Sequence, residues 1–392
     1  MKLTFKHTRA AAYIGYITQA IVNNFAPLLF VTFSGTFGLS LEDLSLLITI
    51  NFATQIVIDL TSTKFVKPLG MRFCCVAAHV SAAAGLVLYG VLPFVMEPFA
   101  GLIIANIFCA IGGGLDEVVI SPVIEAIPGD AKASDMAMLH SFYCWGQVGV
   151  VALSTLFFAV FGIEHWNIVS MLWAIVPALG AVLFIFVPIA ELNEGGEDTP
   201  LKALFKERVF LLFLVIMVCA GGSELAMSQW ASLFAEEGLG VSKTVGDLLG
   251  PCSYAVMMGI ARTAYGIWGS RMNLGRFILG SGILCVIGYL VAIFVPNPIL
   301  ALLGCGICGL SVGLMWPGTY SMAAERFPKG GTAMFSILAF AGDIGCTSGP
   351  SIAGLVGDAA GDIRKGLLVA IVFPAVLAVS TAGLIKCGNR KE

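Results

Sequence analysis

Charge is scarce in this chain. Only 11% of its 392 residues are Asp, Glu, Lys or Arg, against about 25% in an average soluble domain. Hydrophobic residues make up 58% and mean hydropathy is +0.95. No water-soluble core needs that much apolar surface, so the solvent is largely lipid. A basic patch with interleaved aromatics is absent, which excludes nucleic acid as a partner. H-E-x-x-H and G-x-S-x-G are absent too, so neither a metal enzyme nor a serine hydrolase is expected. Cysteine is not scarce, with 11 residues. Nearly all lie inside apolar runs, among them Cys74, Cys75, Cys109, Cys285, Cys305 and Cys308, where cysteine serves as a small apolar residue. Cys305 and Cys308 have redox-motif spacing but no partner Cys or His pair, so no metal and no cofactor beyond a proton is expected.

Long apolar runs are what the chain has. A membrane span needs about 20 apolar residues. Twelve are expected, at 10–34, 42–66, 72–94, 98–126, 133–162, 166–190, 209–236, 244–270, 276–296, 298–325, 330–357 and 364–386. The N-terminal run is read as the first span, not as a cleaved leader. Most connections are short and carry Pro, Gly or charge. The segment 191–208 is longer, acidic first and then amphipathic. The expected fold is all-α: a six-helix bundle over 1–190, a linker over 191–208 and a second six-helix bundle over 209–392.

Of the 21 Lys and Arg, seventeen fall on the side of both termini and the linker. Lys243, Arg364 and Lys365 fall opposite, and Arg262 lies inside a span. By the positive-inside rule both termini are expected in the cytoplasm of a cell-membrane protein. The halves also repeat. Span 4 carries Gly112, Ser121-Pro122, Glu125 and Pro128, and span 5 then carries Trp145-Gly146 and Gly149. Span 10 carries Gly309, Trp316-Pro317, Glu325 and Pro328, and span 11 then carries Ala341-Gly342 and Gly345. Two parallel repeats joined by a cytoplasmic linker describe alternating-access transporters, whose solute site lies near the midplane.

On these residues the chain resembles the major facilitator superfamily along its whole length. Within it, the fucose–galactose–glucose permease branch is the most similar pattern. The matching residues are Gly113-Gly-Leu-Asp-Glu117, Ser121-Pro122, Pro128-Gly129, Leu139-His-Ser-Phe-Tyr-Cys-Trp-Gly146, Gly221-Gly-Ser-Glu224, Ser228-Gln-Trp230, Gly259-Ile-Ala-Arg262, Pro317, and Gly345 with Gly349-Pro350, Gly354 and Asp358. The resemblance implies sugar transport. Two positions depart from the pattern. Proton-coupled branch members carry an Asp in the first span, where this chain has Asn23-Asn24. In the loop after span 2, Lys67 stands where the superfamily signature has an acid, and the nearby acid is Asp59.

The polar residues inside the spans are the candidate site. A charge at the bilayer centre costs about 2.5–3.5 kcal/mol on insertion scales, so it is expected to face protein or water. Glu117 shares a helical face with Asn106, Gly113 and Ser121, while Asp116 points about 100° away toward Cys109 and Gly112. Glu117 is expected to accept sugar hydroxyls and to carry the proton, with Asp116 and Glu224 as other proton-coupling candidates. Gln19, Asn23 and Asn24 in span 1, Asn51 in span 2, His140 and Gln147 in span 5, and Gln229 in span 7 are expected to contact the sugar. Amides offer both donors and acceptors to hydroxyls. Trp230 is expected to stack on the sugar's apolar face, with Trp145 and Trp316 as weaker counterparts. Asp59, Arg262 and Asp343 are read as gate or ion-pair residues, and His79 as packing. The partners expected are the lipid bilayer and a small polar solute, most simply a monosaccharide imported by a monomer. The alternatives are an exporter of a cationic or amphipathic compound, and a non-transporting membrane sensor or enzyme.

Overall fold

The computed structural model describes residues 3–128, 132–190, 201–268, 273–327 and 330–388. Among them there are helices and no strand: α1 Phe5–Asn24, α2 Phe30–Phe37, α3 Leu41–Leu69, α4 Met71–Val95, α5 Pro98–Glu125, α6 Lys132–Phe161, α7 Trp166–Trp173, α8 Ile175–Phe186, α9 Leu201–Leu204, α10 Arg208–Leu233, α11 Lys243–Asp247, α12 Ser253–Trp268, α13 Leu274–Phe294, α14 Pro298–Val312, α15 Met315–Arg326, α16 Gly331–Ala360, α17 Ile363–Ala370 and α18 Val372–Gly388. Among the described residues each expected span contains helix, and ten helical runs are long and apolar enough to cross a membrane; the expected spans 244–270 and 330–357 are not among those ten. The chain divides into two compact units, Met1–Asn193 and Glu194–Glu392. Residues 191–200 of the expected linker lie outside the described residues.

Helix starts follow local chemistry. Glu97 caps α5 by accepting from the N–H groups of Phe99 and Ala100, with Pro98 in the first turn. Asn297 caps α14 in the same way, accepting from Ile299 and Leu300 before Pro298. An acceptor at the cap satisfies donors that the helix leaves open, and proline has no donor to lose there. This capping is therefore repeated in both units. Gly38 and Gly361 end α2 and α16 with φ of 70° and 65°, where a side chain is strained.

Several expected spans are interrupted, and proline accounts for the positions. A proline inside a helix removes the bond to the carbonyl four residues back and crowds it. The breaks at Ala174, at Gly313–Leu314 and at Ile371 lie three or four residues before Pro177, Pro317 and Pro374. The first span breaks after Asn24 into a 3₁₀ turn, Ala26–Leu29, with Pro27 in it. Pro251 sits in the π turn Leu248–Cys252 that leads into α12. Pro122 and Pro350, by contrast, are carried inside unbroken helices.

The closest helix pairs meet through glycine. A Cβ on Gly85 of α4 would stand 2.6 Å from the backbone nitrogen of Cys109 on α5. In the second unit a Cβ on Gly288 of α13 would stand 3.0 Å from the nitrogen of Cys308 on α14. The paired positions explain why cysteine recurs in these runs: it is small and apolar, and it lies where two backbones touch. Outward faces carry Val57, Leu60, Phe73, Leu156 and Phe161, all exposed, which is the side-chain set a lipid solvent accepts.

Candidate functional site

In the first unit, α1, α3, α5 and α6 supply a polar cluster. Its central contact is Gln19 Nε2 donating to Glu117 Oε2 at 2.8 Å. One turn back along α1, the Tyr16 hydroxyl shares a 2.8 Å hydrogen bond with Ser121 Oγ, one turn on along α5. The Tyr16 ring also meets the His140 ring edge-on, with centroids 5.2 Å apart. One turn forward along α1, Asn23 Oδ1 accepts from Asn51 Nδ2 at 3.1 Å and from Gln55 Nε2 at 2.9 Å. Asn24 Nδ2 donates to the Ala20 carbonyl at 2.9 Å and reaches the Tyr143 hydroxyl at 3.4 Å. The glycines of α5 let α3 come this close: a Cβ on Gly114 would meet the Cα of Gln55 at 3.0 Å.

The cluster brings together Gln19, Asn23, Asn24, Asn51 and Glu117 as one hydrogen-bonded set. Glu117 is only partly buried, while Gln19, Asn23, Asn24, Asn51 and Gln55 are buried. His140 is exposed and Gln147 is buried. Gln55 extends the set beyond the expected residues. Its signal was present as the i, i+4 spacing from Asn51. Asp59, one turn further on, lies within electrostatic reach of Glu117. Asn106 does not join the Glu117 face as helical phase suggested. Its amide donates to the Leu47 carbonyl at 2.7 Å and its oxygen accepts from Tyr89 at 2.9 Å. Asp116 also stands apart. It is fully buried beside His79, with Nδ1 and Oδ1 3.2 Å apart. The contact that sequence reading missed is the one between Asp116 and His79, a residue read as packing. The signal for it was Asp116's own phase, because Gly112 and Cys109 on that face touch α4.

In the second unit, Arg262 on α12 meets Glu224 on α10. Arg262 Nη2 lies 3.4 Å from both carboxylate oxygens. This pairing names the acid that faces Arg262, which span-by-span reading left open. The backbone around Glu224 is held as well: the Tyr254 hydroxyl donates to the Glu224 carbonyl at 2.9 Å, and the Tyr289 hydroxyl donates to the Ser223 carbonyl at 3.0 Å. Gln229 and Asp343 are buried. Trp230 is fully buried, and its indole N–H donates to the Pro350 carbonyl on α16 at 2.9 Å. Trp145 is exposed, and Trp316 packs over Gly342.

The chemistry available is therefore amide and carboxyl groups on one unit and a carboxylate–guanidinium pair on the other. Among the described residues, no group of three His, Cys, Asp or Glu could hold a metal ion. The family model described as Major Facilitator Superfamily matches residues 12–350.

The chain belongs to the major facilitator superfamily.

A curated relative, membrane protein MosC of Rhizobium meliloti, is 23% identical over 341 residues, spanning 86% of this chain and 81% of the relative. Among solved structures, the Escherichia coli fucose:proton symporter FucP aligns with a TM-score of 0.68 at 16% identity, over 96% of this chain and 98% of FucP. A bacterial homologue of the human lysosomal transporter Spinster aligns with a TM-score of 0.77 at 14% identity, over 98% of each chain. At these identities the structures share the fold with this chain. As a member of this superfamily the protein is a transporter rather than an enzyme, built of membrane helices.

Proposed function

We propose that this facilitator imports a monosaccharide by alternating access, coupled to protons through Glu117. The observation that carries the reading is the Gln19–Glu117 contact at 2.8 Å, set in a layer of amides. A carboxyl group and several amides offer a sugar's hydroxyls acceptors and donors together. Glu117 is only partly buried, so it is open to a solute while still shielded by protein. The position matching Glu117 in the second repeat, five residues before Pro317, is Val312. The repeated fold therefore does not require an acid there. The likeness to FucP, a fucose:proton symporter, supports the same reading, as does the resemblance in span 4. The charge asymmetry supports cytoplasmic termini in a cell membrane.

The test is uptake of a panel of labelled monosaccharides into proteoliposomes, with and without an inward pH gradient. Saturable uptake of at least one sugar, raised by the gradient, is expected. Glu117→Gln is expected to abolish accumulation against a concentration gradient. No saturable uptake in either condition overturns the sugar reading, and uphill accumulation by Glu117→Gln overturns the coupling role.

One observation favours a second reading. Asp59 lies within electrostatic reach of Glu117, and two neighbouring carboxyl groups attract a cation as readily as a sugar. On that reading the solute is a cationic or amphipathic compound moved outward. Sugar competition separates the two, since only a sugar carrier is blocked by monosaccharides.

A further inference from the structure

Three membrane runs of the second unit have a base as their last residue on the linker side. Arg208 begins the run Arg208–Gly238, while Arg326 and Lys386 end the runs Pro298–Arg326 and Ile363–Lys386. All three side chains are exposed. Arg276, in the first turn of α13, is a fourth exposed base. It lies close by, since a Cβ on Gly275 beside it would stand 3.1 Å from the Ile385 side chain of α18. Bases at span ends on this side are what the positive-inside rule expects. What sets these four apart is the groove between the helices that carry them.

That groove has a volume of about 340 Å³ and lies between α10, α15 and α18. Val209 and Phe213 of α10, Met322 of α15, and Leu384 and Ile385 of α18 give it apolar walls. Glu325 and Arg326 complete the lining. Val209, Phe213, Met322 and Leu384 also pack into the hydrophobic cluster of Phe210, Met217 and Ala323, so the walls continue the core of the unit. The volume falls in the range of pockets that hold small molecules, about 300–1,000 Å³.

Three features select the occupant. The apolar walls ask for hydrocarbon, which a free phosphate or a nucleotide does not offer. The rim is positive, with Arg208, Arg276, Arg326 and Lys386 against Glu207 and Glu325, which asks for an anion. The depth is that at which three spans end, where headgroups meet acyl chains. A phospholipid of negative net charge meets all three conditions. Basic pockets between membrane helices on the cytoplasmic side bind anionic headgroups, and the charge asymmetry supports the cytoplasm on this side.

We propose that this groove binds one anionic phospholipid of the adjacent leaflet, with its phosphate against Arg326 and an acyl chain against Phe213 and Leu384. The site lies wholly within the second unit. The bound lipid braces the ends of three helices that come from distant parts of the sequence, so it stabilises that unit.

Native mass spectrometry of the purified full chain tests this, with phosphatidylglycerol and phosphatidylcholine of identical acyl chains as probes. Phosphatidylglycerol is expected to bind one-to-one and more tightly than phosphatidylcholine. Arg326→Gln removes one base, and it is expected to weaken phosphatidylglycerol binding about fivefold. Leu384→Trp narrows the groove without changing its charge, and it is expected to weaken binding as well. Lys64→Gln removes an exposed base of the first unit, and it is expected to change nothing. Equal binding of the two lipids overturns the proposal, and a groove filled by another segment of this chain or by a peptide would give that result. An effect of Arg326→Gln no larger than that of Lys64→Gln overturns it too, because binding is then general charge attraction. Undiminished binding by folded Leu384→Trp places the lipid elsewhere and has the same consequence. Thermal unfolding in detergent gives a second measurement. Phosphatidylglycerol is expected to raise the midpoint more in the wild type than in Arg326→Gln, and an equal rise in both overturns the proposal. No solute enters these measurements, so their outcome is independent of the sugar reading.

Discussion

At the scale of single residues, several buried polar groups of this facilitator meet a partner on another helix. Arg262 and Glu224 are the clearest case, with 15% and 11% of their side chains exposed. Breaking a buried ion pair by removing one partner costs about 3–5 kcal/mol in soluble proteins, because the survivor stays charged. Arg262→Gln alone is therefore expected to lower the thermal unfolding midpoint in detergent. Arg262→Gln combined with Glu224→Gln is expected to recover most of that loss. The amide cluster behaves differently. Hydrogen bonds between membrane helices average about 0.6 kcal/mol. Asn51→Leu removes one such bond to Asn23, so its stability change is expected to be small. On the sugar reading its Michaelis constant for uptake rises clearly. A large stability loss with unchanged uptake kinetics would assign Asn51 to packing instead.

At the scale of helices, glycine and proline set the geometry. A Cβ on Gly345 of α16 would overlap the Val218 carbonyl of α10. That atom is backbone and cannot swing aside. Gly345→Ala is expected to force the two helices apart and to reduce the yield of folded protein sharply. Gly280 on α13 has nothing within 4 Å of its would-be Cβ, so Gly280→Ala is expected to be neutral or to stabilise by up to about 1 kcal/mol through helix propensity. Thermal stability of the two purified variants compares them directly. Helix existence was legible in the sequence because the apolar runs are long. The breaks near Pro177, Pro317 and Pro374 were legible only in part, since Pro122 and Pro350 sit in unbroken helices. A proline breaks or bends a helix depending on what neighbouring helices hold in place, and that is not a local property.

At the scale of the whole molecule, the proposed orientation rests on charge distribution. On the proposal that both termini are cytoplasmic, a cysteine placed at Lys243 is expected to react in intact cells with a membrane-impermeant thiol reagent. One placed at Arg326 is expected to react only after lysis, both in a background lacking reactive native thiols. The reverse pattern would invert the orientation. Composition, apolar run length and the internal repeat determined the membrane class, the helical fold and the position of an acid in span 4. These follow from the cost of exposing polar groups to lipid, which is paid along the sequence itself. The tertiary structure alone decided which polar groups meet. Helical phase separated Asp116 from Glu117, but only packing showed that one faces His79 and the other faces Gln19. Only packing showed, too, that the Trp230 indole meets the Pro350 carbonyl. Side-chain pairing across helices depends on contacts distant in sequence, and no local pattern encodes them.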